Sequence, residues 1–490
     1  MKSRKQLKDL LVGVTIEATT GDIANLSIDA INIDSREVTT DALFVAIKGT
    51  LTDGHLYIDK AIEAGAVVVV YEKGNTITFQ KDITYIEVSN SPDALGVLAK
   101  NFYEDPSSKL QLVGVTGTNG KTSISTLLYN LFTRLGYKTG LISTIKVILG
   151  DKEFEANQTT TDVITLNKYL REMHNQGVTH CFMEVSSHGI DQKRISQITF
   201  AGGIFTNLTH DHLDYHKTFS NYRDAKKAFF DQLPKKAFAL TNIDDKNGAF
   251  MLQNTKAKKY SYASKTLADF SFQILESSFK STLLKINEQE IWSPLVGAFN
   301  AYNLVAAYAA AVLLNEETIE VLTKLSASPR VTGRFEHFTS PKGVHAVVDY
   351  AHTPDALKNV LQTTLDVISK KQEIITLIGC GGDRDRTKRP IMAKIAVSLS
   401  HKTILTSDNP RSEEPEAILK DMQTDLTEQE KNKTLVITDR EEAIKMAAQL
   451  AKPDDVILIA GKGHETYQLI KGKKFLFNDM EKIQYYLKSV

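Results

Sequence analysis

A glycine-rich segment that ends in lysine and threonine is the part of the sequence best suited to chemistry. It reads Thr116-Gly-Thr-Asn-Gly-Lys-Thr122 and follows an apolar run at residues 110–115. A strand, a glycine loop and a helix start together bind phosphate, because backbone N–H groups and the helix dipole converge on the anion. Lys121 would add a cation, and Thr122 could offer its hydroxyl to Mg²⁺. The segment predicts a nucleotide-binding loop, and a plain glycine turn before a core helix is the alternative.

Acidic residues and histidines follow the later apolar runs. Glu184 comes directly after Cys181-Phe-Met, where a carboxylate can reach a metal ion beside a phosphate loop. Five residues of the types that bind metals crowd a further segment: His210, Asp211, His212, Asp214 and His216. From this crowding we predict that His212 contacts a metal ion. An isolated histidine such as His180 is better interpreted as a surface or core residue.

The order of apolar runs and helical patterns gives the architecture that must hold these residues. Residues 1–105 mix short strands with two helices and predict a small mixed α/β domain. Strands and helices alternate from 106 to 330, which predicts a central P-loop-type domain with a mostly parallel sheet. They alternate again from 331 to 490, which predicts a Rossmann-like open sheet. The predicted fold class is therefore α/β, with three domains.

Polar or glycine-rich loops fall at four strand ends of the third domain. Ligands in open α/β sheets bind beyond the carboxyl ends of the strands, so we expect these loops to share one site. They are Tyr350-Ala-His352, Gly379-Cys-Gly-Gly-Asp383, Ser407-Asp-Asn-Pro-Arg411 and Gly461-Lys-Gly-His-Glu465.

Composition argues against several classes of protein. Lys plus Arg and Asp plus Glu number 59 each among the 490 residues, so we expect no basic surface that attracts nucleic acid. The two cysteines, Cys181 and Cys380, are far apart in the sequence, which fits a reducing compartment. The apolar patch near the N-terminus, Leu10 to Val14, is too short for a signal-peptide core, and the longest apolar run, Leu304 to Leu314, is well below the length of a membrane span. We expect a cytoplasmic monomer that binds neither nucleic acid nor membranes.

The chain resembles the Mur ligases, and the resemblance extends over essentially its whole length. Its phosphate loop has the shortened form that these ligases share with folylpolyglutamate synthetases. Tyr222-Arg-Asp-Ala-Lys226 resembles the Mur ligase site where the lysine carries a carbamate, and Gly297-Ala-Phe-Asn-Ala-Tyr-Asn303 resembles the segment that contacts adenine. The resemblance implies an enzyme that uses ATP and Mg²⁺ to form an amide through an acyl phosphate.

The resemblance also assigns residues to ATP and to the metal. The implied ATP contacts are Gly117, Thr118, Asn119, Gly120, Lys121, Thr122, Ser123, Asn300, Asn303, Arg334 and Asp349. The implied metal ligands are Thr122, Glu184, His212 and a carbamylated Lys226. Carbamylation would turn a cation into an anionic oxygen ligand, because a neutral amine attacks CO₂. The implied catalytic residues are Lys121, Lys226, Arg334 and His352. Two alternatives stay open: Asn300 could cap the alanine-rich helix, and Lys226 could be an ordinary helix lysine.

Within the family, the resemblance is to ligases that extend a UDP-muramoyl dipeptide. The implied contacts with the uridine end are Ile33, Ser35, Thr50, Leu51 and Thr52. The implied contacts with the muramoyl dipeptide are Gln158, Thr159, Thr160, Ser186, Gln192 and Arg194. A Ser186 nucleophile with His188 as its base is the rival interpretation of this segment.

The incoming amino acid is the remaining substrate. Its implied contacts are Arg384, Asp408, Asn409, Pro410, Arg411, Gly461 and Glu465. An arginine fork binds a carboxylate, while Asp408 and Glu465 can take an ammonium. The distal end of meso-diaminopimelate carries both groups and that of lysine only the ammonium, so Arg411 favours diaminopimelate. The implied reaction joins it to the D-glutamate of UDP-N-acetylmuramoyl-L-Ala-D-Glu, in peptidoglycan precursor synthesis. The same ligase using L-lysine, a folylpolyglutamate-synthetase-like ligase and a P-loop ATPase switch are the alternatives.

Overall fold

Three α/β units, each built around its own sheet, follow one another along the chain. The computed structural model describes residues 4–50, 52–156 and 158–489. The three larger sheets have five, eleven and six strands, in that order along the chain. This arrangement agrees with the predicted α/β class, and the domain boundaries at residues 105 and 330 stay predictions.

The N-terminal unit carries a mostly parallel five-stranded sheet. Its elements are β1 (Lys5–Gln6), α1 (Leu7–Leu10), β2 (Ile16–Thr20), β3 (Ser27–Ile28), β4 (Ala30–Asn32), β5 (Ala42–Val45), α2 (Ile58–Glu63), β6 (Ala66–Glu72), β7 (Thr84–Val88) and α3 (Ser91–Phe102). The strand order is β2-β7-β6-β5-β4, and only the β2–β7 pairing is antiparallel. The sequence does not predict β2, because all five of its side chains are exposed and no apolar pattern marks it.

The central unit surrounds the largest sheet. Its elements are β8 (Gln111–Thr116), α4 (Lys121–Arg134), β9 (Thr139–Ile142), β10 (Lys146–Leu149), β11 (Lys152–Glu155), α5 (Val163–Asn175), β12 (His180–Glu184), α6 (Ser187–Asp191), β13 (Gly202–Phe205), α7 (Leu213–His216), α8 (Phe219–Asp231), β14 (Phe238–Asn242), α9 (Gly248–Met251), β15 (Lys258–Ala263), β16 (Phe270–Ser277), β17 (Thr282–Ile286), β18 (Gln289–Ser293), α10 (Ala298–Leu313) and α11 (Thr318–Ser326). The order is β11-β10-β9-β12-β8-β13-β14-β15-β16-β17-β18.

Pairing from β9 to β16 is parallel, which confirms the predicted mostly parallel sheet, and both ends of the sheet are antiparallel. The helix α4 fixes the phosphate loop to this sheet. Its apolar face, formed by Ile124, Leu127, Leu128 and Leu131, is fully buried. Together with the alanine-rich α10, this face belongs to the apolar core on one side of the sheet, so the loop has a rigid base.

The C-terminal unit is an open sheet covered by helices. Its elements are β19 (Glu336–Thr339), β20 (His345–Asp349), α12 (Pro354–Val367), β21 (Ile374–Ile378), α13 (Lys388–Leu399), β22 (Lys402–Leu405), α14 (Pro415–Gln423), α15 (Glu428–Lys431), β23 (Thr434–Val436), α16 (Arg440–Leu450), β24 (Val456–Ala460), β25 (Tyr467–Ile470), β26 (Lys473–Leu476) and α17 (Asp479–Ser489). The sheet order is β19-β20-β24-β21-β22-β23.

The parallel strands of this sheet run from β20 to β23, so their carboxyl ends meet at one edge. The four polar loops predicted from the sequence therefore lie together. None of the helices within the described residues is long and apolar enough to cross a membrane.

Candidate active site

One cleft of about 490 Å³ lies between the central and C-terminal sheets. Its central wall is formed by the loop before α4, by the ends of β12 and by the segment that follows β13. Its C-terminal wall is formed by the loops after β20, β21, β22 and β24. The phosphate loop and the four polar loops thus face the same space.

The phosphate loop is held by the end of the neighbouring strand β13. Gly120 has a φ of 91° and precedes the first residue of α4, a backbone conformation that favours glycine. Asn207 accepts a hydrogen bond from the Asn119 amide at 2.9 Å, and Thr206 donates to the Asn119 carbonyl at 2.6 Å. The first amides of α4 have no acceptor within the helix, so they can bind an anion.

The amines of Lys121 and Lys226 meet at this loop. Lys121 Nζ donates to the carbonyls of Gly117 and Thr118 at 2.9 Å each. Lys226 Nζ donates to the same Gly117 carbonyl at 2.9 Å. Burial, and the charge of Lys121 beside it, lower the pKa of Lys226 well below its ordinary value. A neutral amine is the form that reacts with CO₂.

Thr122 and Glu184 form the second part of the central wall. Thr122 Oγ1 donates to Glu184 Oε1 at 2.8 Å, and the Thr144 amide donates to the same oxygen at 2.8 Å. Arg334 reaches across from the C-terminal unit, with Nη2 at 3.3 Å from Thr122 Oγ1. The Arg334 Nε is buried without a hydrogen-bond partner among the described residues. A phosphate oxygen in the cleft would satisfy it.

The histidine-rich segment after β13 divides between three environments. His210 Nε2 lies 3.2 Å from Asp385 Oδ2 of the C-terminal unit. His216 is buried, with Nε2 at 3.0 Å from Ser187 Oγ. His212 lines the cleft, and burial lowers its pKa well below 6.5, so the imidazole is neutral. A neutral imidazole is the form that binds a metal.

The residues predicted to hold a metal fit Mg²⁺ only in part as they stand. Glu184 offers carboxylate oxygens and Thr122 a hydroxyl, which suit a hard cation. Within the described residues there is no group of three His, Cys, Asp or Glu side chains placed to share a metal ion. An oxygen ligand contributed by a carbamate on Lys226 would add the missing negative charge.

The predicted ATP residues Asn300 and Asn303 are buried on α10 and are not among the described residues that line the cleft. Asn303 Oδ1 is so close to Gly120 that an added Cβ there would lie 2.6 Å from it. Asn300 Nδ2 donates to the Val296 carbonyl at 2.9 Å. The idea that Asn300 caps the alanine-rich helix is wrong, because α10 begins at Ala298 and its capping residue is Gly297. The helix starts earlier than the sequence pattern suggests.

Asp349 and His352 of the C-terminal unit differ in their position relative to the cleft. Asp349 accepts from the Phe335 amide at 2.6 Å, and burial raises its pKa to about 6. It therefore supports the turn that carries Arg334 and lies behind the cleft wall. His352 lines the cleft, and burial lowers its pKa to about 4. Lys388 donates to the His352 carbonyl at 3.0 Å.

Each charged group at the amino-acid end of the cleft has one atom bound to the protein. Arg411 Nη1 donates to the Gly382 carbonyl at 2.8 Å. Asp408 Oδ1 accepts from the Asn409 amide at 2.6 Å, and Glu465 Oε2 accepts from Asn409 Nδ2 at 2.8 Å. The remaining guanidinium nitrogens and carboxylate oxygens have no hydrogen-bond partner within the described residues. They are the atoms available to a ligand.

The neighbouring residues explain why these loops are close. Gly461 has a φ of 115°, a backbone conformation that favours glycine, and an added Cβ would lie 2.5 Å from Asp408 Oδ2. An added Cβ at Gly382 would likewise collide with the Pro410 carbonyl oxygen. Arg384 is exposed at the rim of the cleft. Burial of Arg411 is the largest cause that lowers the pKa of Arg411, and the charge of Arg384 is the second. Two adjacent guanidinium groups favour an anion between them.

A buried ion pair lies behind these loops. Arg440 and Asp479 are fully buried and joined by two bonds of 2.7 Å. Arg440 also donates to the carbonyls of Ser407 and Ala460, at 3.3 and 3.2 Å. These carbonyls follow β22 and end β24, so the pair ties together the two loops that carry the amino-acid contacts.

A second cavity, of about 1070 Å³, lies between the N-terminal and central units. The predicted acceptor residues that line it are Ile33, Thr50, Gln158, Gln192 and Arg194. Gln158 and Arg194 line the first cleft too, so the two spaces are adjacent. Thr159, Thr160 and Ser186 line the first cleft. Ser35 and Thr52 lie outside both linings, and Leu51 lies outside the described residues.

The dipeptide end of this cavity is organised by hydrogen bonds. Arg194 donates to the Thr160 carbonyl at 2.7 Å and, through Nη2, to Gln192 Oε1 at 2.6 Å. Ser186 Oγ accepts from the Gly189 amide at 3.1 Å and caps α6. That role gives no support to a Ser186 nucleophile activated by His188.

Sequence reasoning missed several residues that hold the site. Each of these contacts a predicted residue: Asn207 contacts Asn119, Thr144 contacts Glu184, and Lys462 contacts Glu465. Asn207 comes shortly after an apolar strand, and Glu184 is the last residue of another. A polar residue at the end of an apolar strand is therefore a signal that could have identified Asn207. Arg440 and Asp479 are 39 residues apart, and no local pattern pairs them.

The arrangement suits transfer of a phosphoryl group to an acid, followed by attack of an amine. Lys121, Arg334 and the amides of α4 can bind phosphate. The Arg411 and Glu465 groups can bind a zwitterionic amino acid from the opposite wall. A narrow cleft between two units can exclude water from an activated acid.

Comparison with known proteins gives the same picture. Family models match residues 27–103 (Mur ligase family, catalytic domain), 115–311 (Mur ligase middle domain) and 333–463 (Mur ligase, glutamate ligase domain). The UDP-N-acetylmuramoyl-L-alanyl-D-glutamate–2,6-diaminopimelate ligase of Phocaeicola vulgatus is 55% identical over 476 residues, covering 97% of this chain and 98% of the relative. The enzyme of the same name from Cytophaga hutchinsonii is 52% identical over 474 residues, covering 97% of each.

A solved structure shares the whole architecture. It is a UDP-N-acetylmuramoyl-L-alanyl-D-glutamate–2,6-diaminopimelate ligase that is 30% identical, covers 98% of both chains and has a TM-score of 0.69. The family models together span most of the sequence, and the relatives align along nearly its full length. On this evidence the chain belongs to the Mur ligase family.

Proposed function

We propose that this chain is an ATP-dependent ligase that adds meso-diaminopimelate to the D-glutamate of UDP-N-acetylmuramoyl-L-Ala-D-Glu. The observation that carries the proposal is that the phosphate loop and the Arg411 loop open into one cleft of about 490 Å³. The relatives that are 52–55% identical and named for this reaction support it. The product would be a peptidoglycan precursor. That the chain acts as a cytoplasmic monomer stays a prediction.

The first step would transfer the γ-phosphoryl group of ATP to the D-glutamyl γ-carboxylate. Lys121 and the first amides of α4 would hold the phosphates, and Arg334 would balance the charge that develops on the transferred group. Thr122, Glu184, His212 and a carbamylated Lys226 would hold Mg²⁺. When bound there, the metal would supply neutralisation of phosphate charge.

The second step would be attack of the α-amine of the diamino acid on the acyl phosphate, with loss of inorganic phosphate. Arg411 and Arg384 would bind carboxylates, and Asp408 and Glu465 would bind the distal ammonium. Their fixed atoms orient the amino acid before reaction, so that the amine reaches the activated carbon from the opposite wall.

The acceptor would enter from the second cavity. The uridine end would lie between the N-terminal and central units, near Ile33 and Thr50, which line that space. The dipeptide end would pass Gln158 and Arg194 into the first cleft, since both residues line both spaces. This path gives the N-terminal, central and C-terminal domains one substrate each: the acceptor, ATP and the amino acid.

The test is a reconstitution with omissions. The purified chain, ATP, Mg²⁺, the UDP-muramoyl dipeptide and meso-diaminopimelate should yield the UDP-muramoyl tripeptide with one ADP and one phosphate per product. Leaving out the dipeptide should stop phosphate release. Leaving out the amino acid should prevent continued turnover of ATP. Sustained phosphate release without either substrate would instead indicate an ATPase switch, and use of a folate acceptor would indicate the folylpolyglutamate alternative.

A further inference from the structure

Lys462 lies directly behind the amino-acid end of the cleft, and the proposed reaction gives it no role. Its side chain is fully buried. Nζ donates to Glu465 Oε2 at 2.8 Å and to Asn409 Oδ1 at 3.2 Å. Both partners belong to the loops that would bind the amino acid. Burying a charge is costly unless it is paired, and Glu465 is the acidic partner of this buried ammonium.

The hydrogen bonds around Glu465 leave one of its oxygens for a ligand. Lys462 Nζ and Asn409 Nδ2 both bind Oε2, each at 2.8 Å. No hydrogen bond reaches Oε1 within the described residues, and Glu465 lines the cleft. Lys462 therefore fixes the carboxylate so that Oε1 is the oxygen offered to an incoming ammonium.

Lys462 also sets the charge of this end of the cleft. The charged side chains that would meet the distal part of the amino acid are Arg384, Arg411, Asp408 and Glu465, which balance one another. The buried ammonium of Lys462 adds one positive charge at 2.8 Å from Glu465. Charge–charge interactions are strong in such a water-poor region. An occupant with one net negative charge is therefore favoured.

We propose that Lys462 is a specificity-determining residue, which favours a diamino acid with two carboxylates over one with a single carboxylate. The inference rests on the proposed function. At the moment of attack the reacting amine is neutral, so a diamino dicarboxylate such as meso-diaminopimelate carries one net negative charge. L-lysine in the same state carries none. Without Lys462, the net charge of this end of the cleft no longer adds to the preference for the dicarboxylate that Arg411 provides.

The test compares two amino acids in three variants. Lys462→Met removes the charge at similar length, Lys462→Arg keeps it, and Lys473→Met is the matched control on the exposed strand β26. We expect Lys462→Met to lower kcat/KM for meso-diaminopimelate at least tenfold relative to that for L-lysine, mainly through KM. KM for ATP should change by less than twofold, and Lys462→Arg should keep most of the preference.

The outcomes separate this inference from the proposed function. If Lys462→Met lowers kcat/KM for both amino acids equally, Lys462 has only a structural role and the inference is overturned. If wild-type enzyme joins neither amino acid to the dipeptide, the proposed function fails and the inference falls with it. Thermal unfolding and ADP binding show whether Lys462→Met is folded. If it is not, Lys462→Gln takes its place in the test, because glutamine keeps a hydrogen-bond donor and loses only the charge. It should show the same loss of preference.

Discussion

The side-chain amines of Lys121 and Lys226 donate to one acceptor, the backbone carbonyl of Gly117, each at 2.9 Å. Two ammonium groups at one carbonyl repel each other, and Lys226 is the more deeply buried, with 1% of its surface exposed. Burial and Lys121 lower its pKa, so its neutral form is favoured. A carbamate on Lys226 would replace this repulsion by attraction to Lys121.

The first prediction concerns this modification. Lys226→Ala should be nearly inactive, and added formate or acetate should restore part of the activity by supplying an oxygen ligand near the metal. The matched control is Lys227→Ala, because the Lys227 amine is bonded to Asp231 at 2.7 Å, away from the cleft. High-resolution density that shows an unmodified ammonium in active, ligand-bound enzyme would rule the carbamate out.

The second prediction concerns the phosphate loop. Lys121→Ala should lower the rate of ATP-dependent product formation by about a hundredfold or more, because it removes a fixed cation at the transferred phosphate. Its unfolding midpoint should stay near that of the wild type, since among the described residues Lys121 bonds only to carbonyls of its own loop. Lys109→Ala, before β8, serves as the control. Wild-type turnover in a folded Lys121→Ala protein would contradict the nucleotide assignment.

The sequence predicts cleft residues at or shortly after the ends of apolar strands. Glu184 ends β12, and the loops that carry Lys121 and Arg411 follow β8 and β22. All three line the cleft, because the carboxyl ends of parallel strands define where a ligand binds. Residues that act through long-range packing give no local signal. Arg440 reaches Asp479 across 39 positions, and the pair becomes visible only when α16 and α17 are placed side by side. The exposed strand β2 escapes prediction for a related reason, since its neighbours in the sheet define it.

The third prediction concerns that buried pair. Asp479→Asn should lower the free energy of unfolding of the C-terminal unit by about 3–5 kcal/mol, because it leaves the buried Arg440 uncompensated. It should also raise KM for the amino acid, since Arg440 bonds to the carbonyls of Ser407 and Ala460. Urea unfolding and steady-state kinetics measure the two effects.

The control for this substitution is an exposed ion pair in the same unit. Glu428→Gln breaks the ion pair between Glu428 and Lys431, whose side chains are 87% and 45% exposed, respectively. It should change the free energy of unfolding by less than about 0.5 kcal/mol. Equal effects of Asp479→Asn and Glu428→Gln would show that the buried pair does not stabilise the loops.

The fourth prediction concerns stability in acid. Burial lowers the pKa of His180 to about 4, and the ring packs against Phe132 and Tyr137. The unfolded chain therefore takes up a proton near pH 6.5, before the folded chain does. This contribution to stability is present above pH 6.5 and is lost as the pH falls towards 4.

His180→Phe removes this titration. Between pH 7.5 and 5, the wild type should lose about 1–2 kcal/mol of unfolding free energy relative to the variant. Denaturant unfolding at the two pH values gives the difference directly. A pH-independent difference between wild type and His180→Phe would mean that folding does not change the pKa of His180.

The fifth prediction is that the chain uses meso-diaminopimelate in preference to L-lysine through Arg411. One guanidinium nitrogen is bonded to the Gly382 carbonyl at 2.8 Å, so the group is fixed and its other nitrogens face the cleft. A distal carboxylate would satisfy them, whereas lysine would leave a half-buried charge unpaired, at a cost of about 1–3 kcal/mol. That cost corresponds to at least about a tenfold preference in kcat/KM.

Arg411→Ala should then lose most activity with meso-diaminopimelate and much less with L-lysine, while KM for ATP stays nearly constant. Arg386→Ala is the matched control, because the Arg386 side chain is 66% exposed and bonded to Glu413. Without Arg386, Glu413 keeps its bonds to Arg389 and to the Asp383 amide, so the preference between the amino acids should survive. Because Arg411 supplies the carboxylate contact and Asp408 and Glu465 the ammonium contacts, removing the guanidinium should lower discrimination without abolishing amine binding. Equal or better use of L-lysine by the wild type would show that Arg411 does not read the distal carboxylate.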